Sequence, residues 1–366
     1  MRELIRANAG LLVAGVATFI VMGAGQSLYG PALPVYSRAF GISTAAAGML
    51  VSAHWVGCFV GVGYMFFRGA SVTPRHALVM MALGSAGLAA MVSWSATLVA
   101  AVLFGIGYGM ATAVFNPRVL VAFGTRGPSM LSLLNATFGL GAIAAPLVFV
   151  ALSSDPRWAF GLTAVLCAAI WVISGAAGAV PVSAGEATQP YRPQLGILAF
   201  GAVSVGCEAS LIGLGPTALI AAGLGEERAA TLLSAFFVVF LLSRVALIFA
   251  AHLIPPFLLL GGSLAVAGIC ALGAAIGPPG LFFVAMGAPA GLFFPAFYVS
   301  ATARMGTDLR VPPTIIAAGL VGGIFSPLVI APLMDPLGAR GFFWLAAGLM
   351  LVTALLAASV ARRMRR

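Results

Sequence analysis

One full acid, Glu208, stands near the middle of an apolar run, LGILAFGAVSVGCEASLIGLGPTALIA, at residues 195–221. About 20 apolar residues rising ~1.5 Å each cross the ~30 Å hydrocarbon layer, so this run is long enough to span a bilayer. A carboxylate at that depth costs roughly 3 kcal/mol on insertion scales, and such groups face a polar cavity and mark a solute or proton path. It pairs with a cation there or holds a proton, and exchange between those states can couple proton and solute movement. The plainer reading is a structural carboxylate paired with arginine or capped by hydroxyls. Ser204, one turn away, is placed to donate to it.

Other polar groups recur at helical spacing in apolar runs. Gln26 occupies the acid's place in an earlier near-copy of the same segment, with Tyr29 on a neighbouring face. Its amide both donates and accepts, which suits a hydroxyl-, amide- or carboxylate-bearing solute; an interhelical bond to the fifth or seventh helix is the structural alternative. Tyr108, Thr112 and Asn116 fall four apart and form one stripe, as do Phe294 and Tyr298 in a later run. Polar groups opposed to aromatic rings suit a moderately polar organic solute, although ordinary helix packing produces the same spacing. Asn135 and His54 are further candidates to line a cavity; His54 can carry a proton or bond across helices. Arg244 lies inside an apolar run. It can bind an anionic solute, pair with Glu208 or reach toward the headgroups, and for Arg118, nearer a helix end, reaching outward is expected.

These residues need a membrane scaffold, and the composition supplies one. Hydrophobic residues make up 62% of the chain and charged residues 7%, and the mean hydropathy is +1.13. Water-soluble domains carry about a quarter charged residues. All 18 basic residues are arginine. The net charge of +10 is read as orientation across a membrane, not as nucleic-acid binding. The four cysteines lie in apolar runs without a CxxC and are expected to pack as small apolar groups, with no metal site. No enzyme constellation is evident, and without lysine no phosphate-binding Gly-x-x-x-x-Gly-Lys can form. No cofactor is expected.

Twelve membrane helices are predicted, near 9–36, 43–67, 76–94, 96–122, 128–152, 157–180, 195–221, 228–252, 255–276, 279–303, 312–334 and 339–361. With the N-terminus inside, one aqueous side receives Arg2, Arg6, Arg68, Arg75, Arg126, Arg192, Arg304, Arg310 and Arg362, Arg363, Arg365 and Arg366. The other receives only Arg38, Arg157, Arg228 and Arg340. That bias puts both termini in the cytoplasm of a bacterial inner membrane. The polar stretch PVSAGEATQPYRPQ at 181–194 divides the chain into an N-terminal six-helix bundle, 1–180, and a C-terminal one, 195–366. The halves read as copies: a shift of 182 residues aligns Gln26 with Glu208, Pro34 with Pro216, Gly105 with Gly287 and Gly109 with Gly291. A shift of 181 aligns Gly141 with Gly322 and Pro146 with Pro327. Parallel six-helix repeats describe a rocking transporter.

Several stretches resemble the major facilitator superfamily. TRGPSMLSLLNATFGLGAIAAPLVF (125–149) is similar to its fifth helix, and DPRWAFGLTAV (155–165) to its junction between helices five and six. GCEASLIGLGPTALI (206–220) and FFPAF (293–297) resemble helices seven and ten of the fucose-permease-like branch. Where that branch's fucose transporter carries acids, in helices one and four, this chain offers Gln26 and Asn116. The superfamily's loop signature G-x-x-x-D-R-x-G-R-R is reduced to Gly63 through Gly69, with Phe67 at the aspartate position.

The resemblance implies an all-α membrane protein of two pseudo-symmetric six-helix bundles. Its expected function is secondary transport of a small organic solute by alternating access, driven by protons through Glu208. One chain supplies both bundles, so a monomer in the lipid bilayer is expected. Two alternatives stay open. One is a proton-driven antiporter exporting a drug-like compound or metabolite; the other is a sensor or assembly factor that binds without turnover. Flux in vesicles separates the three.

Overall fold

The computed structural model describes residues 6–68, 72–176, 191–250, 253–306, 308 and 310–364. Among them twelve long helices follow one another: α1 (Ala9–Phe40), α2 (Thr44–Arg68), α3 (Pro74–Ala90), α4 (Trp94–Phe123), α5 (Gly127–Ala151), α6 (Pro156–Ile173), α7 (Leu195–Ala221), α8 (Glu226–Ala250), α9 (Pro256–Ile276), α10 (Pro279–Met305), α11 (Val311–Met334) and α12 (Gly341–Met364). Eleven are long and apolar enough to cross a membrane. The remaining one, α3, has 17 residues, at the short end of what spans hydrocarbon. In a bilayer only helices or closed barrels satisfy their backbone internally, so a chain this apolar has few alternatives.

Local signals set the boundaries. Proline at the first helical position opens α3, α6, α9 and α10, where its missing N–H costs nothing. Gly41 ends α1 in the left-handed conformation at φ 63°, with the Ile42 N–H returning to Ser37 O at 3.1 Å. The sequence places the end of the third helix at 94, whereas α3 ends at Ala90. Met91 is left-handed there, and Ser93 caps α4 by accepting from the Ala96 N–H at 3.2 Å. The Arg340 guanidinium closes the end of α9, donating to the Ala275 and Gly277 carbonyls at 3.0 and 2.8 Å. The expected linker at 181–194 lies outside the described residues up to 190, as do Arg2 and the tail residues Arg365 and Arg366.

Contacts group the chain into two compact units. The first holds α1, α3–α6 and α2 from Ala53 onward; the second holds α7–α12 with Ser43–Ser52. Inside each, the same helices pair: α1 with α5 and α3 with α4 and α6, then α7 with α11 and α9 with α10 and α12. Lipid tails are as apolar as leucine, so these helices associate by close packing, and small residues allow it. A Cβ on Gly105 or Gly109 would collide with the carbonyls of His54 and Cys58; on Gly287 or Gly291, with those of Phe236 and Phe240. The shift of 182 relates each member of the first set to one of the second. Internal proline is confined to α1, α4, α5, α7, α10 and α11, three pairs of repeat-related helices. Each such proline leaves the carbonyl four residues earlier without its helical donor.

Candidate functional site

In the first unit, α1 brings Gln26 to α4, where the Tyr108 hydroxyl donates to its amide Oε1 at 2.8 Å. Gln26 is 8% exposed. The bond joins helices one and four, not one and five or seven as the sequence alone suggested. With one Oε1 lone pair engaged by Tyr108, the amide retains its two N–H donors and a second acceptor site. Rings surround the phenol: His54 edge-on at 5.2 Å between centroids, and Trp55 and Phe138 each at 6.4 Å. One turn along α4, Thr112 donates to Tyr108 O, and at the next turn the Asn116 Oδ1 is buried without a partner.

His54 and Tyr29 lie deeper. His54 is 1% exposed, with Nε2 at 3.5 Å from Cys58 Sγ and Nδ1 buried without a partner. Tyr29 is wedged among His54, Phe104 and Phe160, with its hydroxyl also unpartnered. Buried polar groups without partners cost about 1–3 kcal/mol each. Asn135 differs. It is exposed, and its amide is spent on Leu131 O of its own helix at 2.9 Å.

In the second unit, α7 carries Glu208 and α8 carries Arg244. Arg244 Nη2 lies 3.8 Å from Glu208 Oε1, with the two side chains 27% and 15% exposed. Glu208 Oε2 is buried without a hydrogen bond. The expected bond from Ser204 is absent: its hydroxyl donates to Gly201 O, one turn back, as hydroxyls in apolar helices do. Arg244 does not reach toward the headgroups. Its Nε donates to Gly291 O on α10 at 3.0 Å, and its guanidinium lies 4.3 Å over the Phe240 ring. Gly291 precedes Pro295 by four residues, so the carbonyl that anchors Arg244 is one that a proline has released. On the same helix Phe294 and Tyr298 lie together, 5.9 Å between ring centroids.

Trp55, Phe138 and the Gly291 carbonyl did not stand out in the sequence. Trp55 adjoins His54 and Phe138 lies one turn from Asn135, so spacing could have found the rings. Gly291 was read only as a packing glycine; counting back four from Pro295 reveals its carbonyl. Arg118 is corrected too. It is 7% exposed, its Nη2 donating to Val72 O at 3.1 Å and its Nη1 to Val114 O at 3.4 Å, so it is held within the protein.

The fold is similar to that of solved major facilitator transporters. A D-xylose–proton symporter matches at 14% identity and a TM-score of 0.77, covering 95% of this chain and 96% of that one. The nucleoside transporter NupG matches at 14% identity and a TM-score of 0.74, over 96% of this chain and 98% of that one. A POT family transporter in complex with a thioalcohol-conjugated peptide matches at 13% identity and 0.74, over 98% and 97%. No protein-family profile and no curated protein matches the chain by sequence. It is thus a multi-pass membrane protein whose fold is similar to that of these transporters.

Proposed function

We propose that this protein is a secondary transporter that moves a small organic solute by alternating access, coupled to protons by symport through Glu208. The carrying observation is the Glu208–Arg244 pair: a carboxyl within a spanning helix, one oxygen 3.8 Å from a guanidinium and the other without a partner. A carboxyl so placed has two stable arrangements, charged against Arg244 or neutral with a proton, and a solute that prefers one of them links the two equilibria. Gln26, Tyr108 and Asn116 in the first unit, and Tyr298, Phe294 and Arg244 in the second, are the residues proposed to contact solute. His54 packs edge-on against Tyr108 and Tyr29 packs against His54, while Asn135 and Ser204 are bonded to their own helices and take a lesser part. The similar structures bear names of a sugar, a nucleoside and a peptide carrier, which supports a small organic cargo. The motifs of α7 and α10 favour the fucose-permease-like branch. The arginine distribution supports two six-helix bundles in a bacterial inner membrane with both termini in the cytoplasm, acting as a monomer.

A thermal-shift screen on purified protein tests this reading. Sugars, nucleosides, dipeptides and organic acids would be compared on wild type and Glu208→Gln at pH 5.5 and 7.5. One class is expected to stabilise wild type in a pH-dependent way and the variant equally at both values. Stabilisation that ignores both pH and the substitution would reduce Glu208 to scaffold.

A further inference from the structure

In the second unit, α9 and α12 meet where Gly261 faces Ala357 and Gly268 faces Leu351. Beside these contacts lies a cavity of about 280 Å³ lined by Leu258, Gly262, Ala265, Ala354, Leu355 and Ala358. Its walls are apolar, with leucines set among glycine and alanine. Gly262, Leu355 and Ala358 are exposed, and a Cβ on Gly262 would meet nothing within 4 Å. From Phe257 to Ala265 the cavity follows α9 for about 12 Å. Phe257, the second residue of α9, carries the Arg304 guanidinium 4.5 Å above its ring. Arg304 belongs to the last turn of α10. The cavity thus runs inward from the start of α9, and the Phe257 ring at that end lies beneath the Arg304 guanidinium.

We propose that this groove between α9 and α12 binds one acyl chain of an acidic phospholipid, with the headgroup phosphate on Arg304. The groove is narrow, apolar and open on the side of a spanning protein that faces lipid. The cation at its mouth favours an anionic headgroup. A neutral lipid fills the groove equally well but gains nothing from Arg304. The site is separate from Glu208 and does not depend on the transported solute.

The test compares retention of dioleoyl phosphatidylglycerol and dioleoyl phosphatidylcholine by the full chain in detergent, read by native mass spectrometry. Wild type should hold phosphatidylglycerol about fivefold more tightly, the preference one basic side chain at headgroup level supplies. Arg304→Gln should remove that preference while leaving both lipids bound weakly. Gly262→Phe should abolish retention of both; if it fails to fold, Ala358→Phe, exposed on the opposite wall, carries the same expectation. Equal retention of the two lipids by wild type, or retention unchanged by either filling substitution, overturns the proposal. A dimer that resists both lipids and is lost on filling the groove would assign it to a second copy instead.

Discussion

Equivalent positions in the two units carry opposite chemistry. Gln26 on α1 accepts from the Tyr108 hydroxyl on α4; Glu208 on α7 faces Arg244 on α8. The 182-residue shift that carries Gln26 to Glu208 carries Tyr108 to Ala290 and Val62 to Arg244. Each group therefore has a partner its counterpart lacks, drawn from a different helix. The physical reason lies in charge. An amide and a phenol satisfy each other as neutral groups, whereas a carboxylate at membrane depth needs a cation or a proton. The first unit holds a neutral hydrogen-bonded pair, and the second a charged pair 3.8 Å apart that the proposed mechanism opens with a proton.

The largest effect should follow from removing the cation. Arg244→Met leaves Glu208 without its counter-charge and is expected to cost about 1–3 kcal/mol of stability, read by thermal unfolding in detergent. The double variant with Glu208→Gln should recover most of that loss. A double variant no more stable than Arg244→Met would show that the two side chains do not interact. Next, Tyr108→Phe removes one neutral bond and should cost about 0.5–1.5 kcal/mol, with no dependence on pH between 5 and 8. A pH-dependent cost there would break the contrast between the units. Smaller again is Pro295→Ala, which gives Gly291 O a helical donor to compete with Arg244. The Arg244→Met penalty should then shrink by about 0.5 kcal/mol in a double-mutant cycle. An unchanged penalty would mean that the proline does not position the guanidinium.

The smallest effect concerns an ion pair outside the membrane-spanning helices, which sharpens the contrast with Glu208. The Asp308 carboxylate takes two bonds from the Arg310 guanidinium at 2.9 Å and one from the Arg310 N–H, and these hold it down to about 2. A carboxyl lowered on folding adds stability that is complete above its unfolded value of about 3.9 and disappears as pH falls through the folded one. Asp308→Asn should therefore be slightly less stable than wild type at pH 5, with the gap closing toward pH 2. A gap that widens on acidification reverses the sign and refutes the assignment.

The helices and their repeat were legible in the sequence because membrane helices obey a one-dimensional rule: apolar length, bounded by proline, glycine and arginine. Glycine register was legible too, since a carbonyl pressed on Gly105 or Gly287 admits no side chain at all. Side-chain direction was not. Ser204 looked like a partner for Glu208 at one-turn spacing, yet a hydroxyl in an apolar helix finds its own backbone first. Arg118 lies near a helix end, yet its guanidinium donates to the Val72 and Val114 carbonyls and stays buried. Tyr108, 82 residues from Gln26, was not among the partners the sequence offered for that amide, whereas pairing of Arg244 with Glu208, 36 residues away, was one of the readings left open. No helical periodicity connects such distances; the packing of separate helices does.

The most direct test of the central claim is proton movement itself. Proteoliposomes with a pH dye inside would receive xylose, a nucleoside, a dipeptide and an organic acid in turn. Wild type should acidify the lumen with one of these. Glu208→Gln should still exchange labelled for unlabelled solute and leave the lumen unchanged. Equal acidification by the variant, or solute accumulation by wild type without any acidification, would contradict a proton path through Glu208.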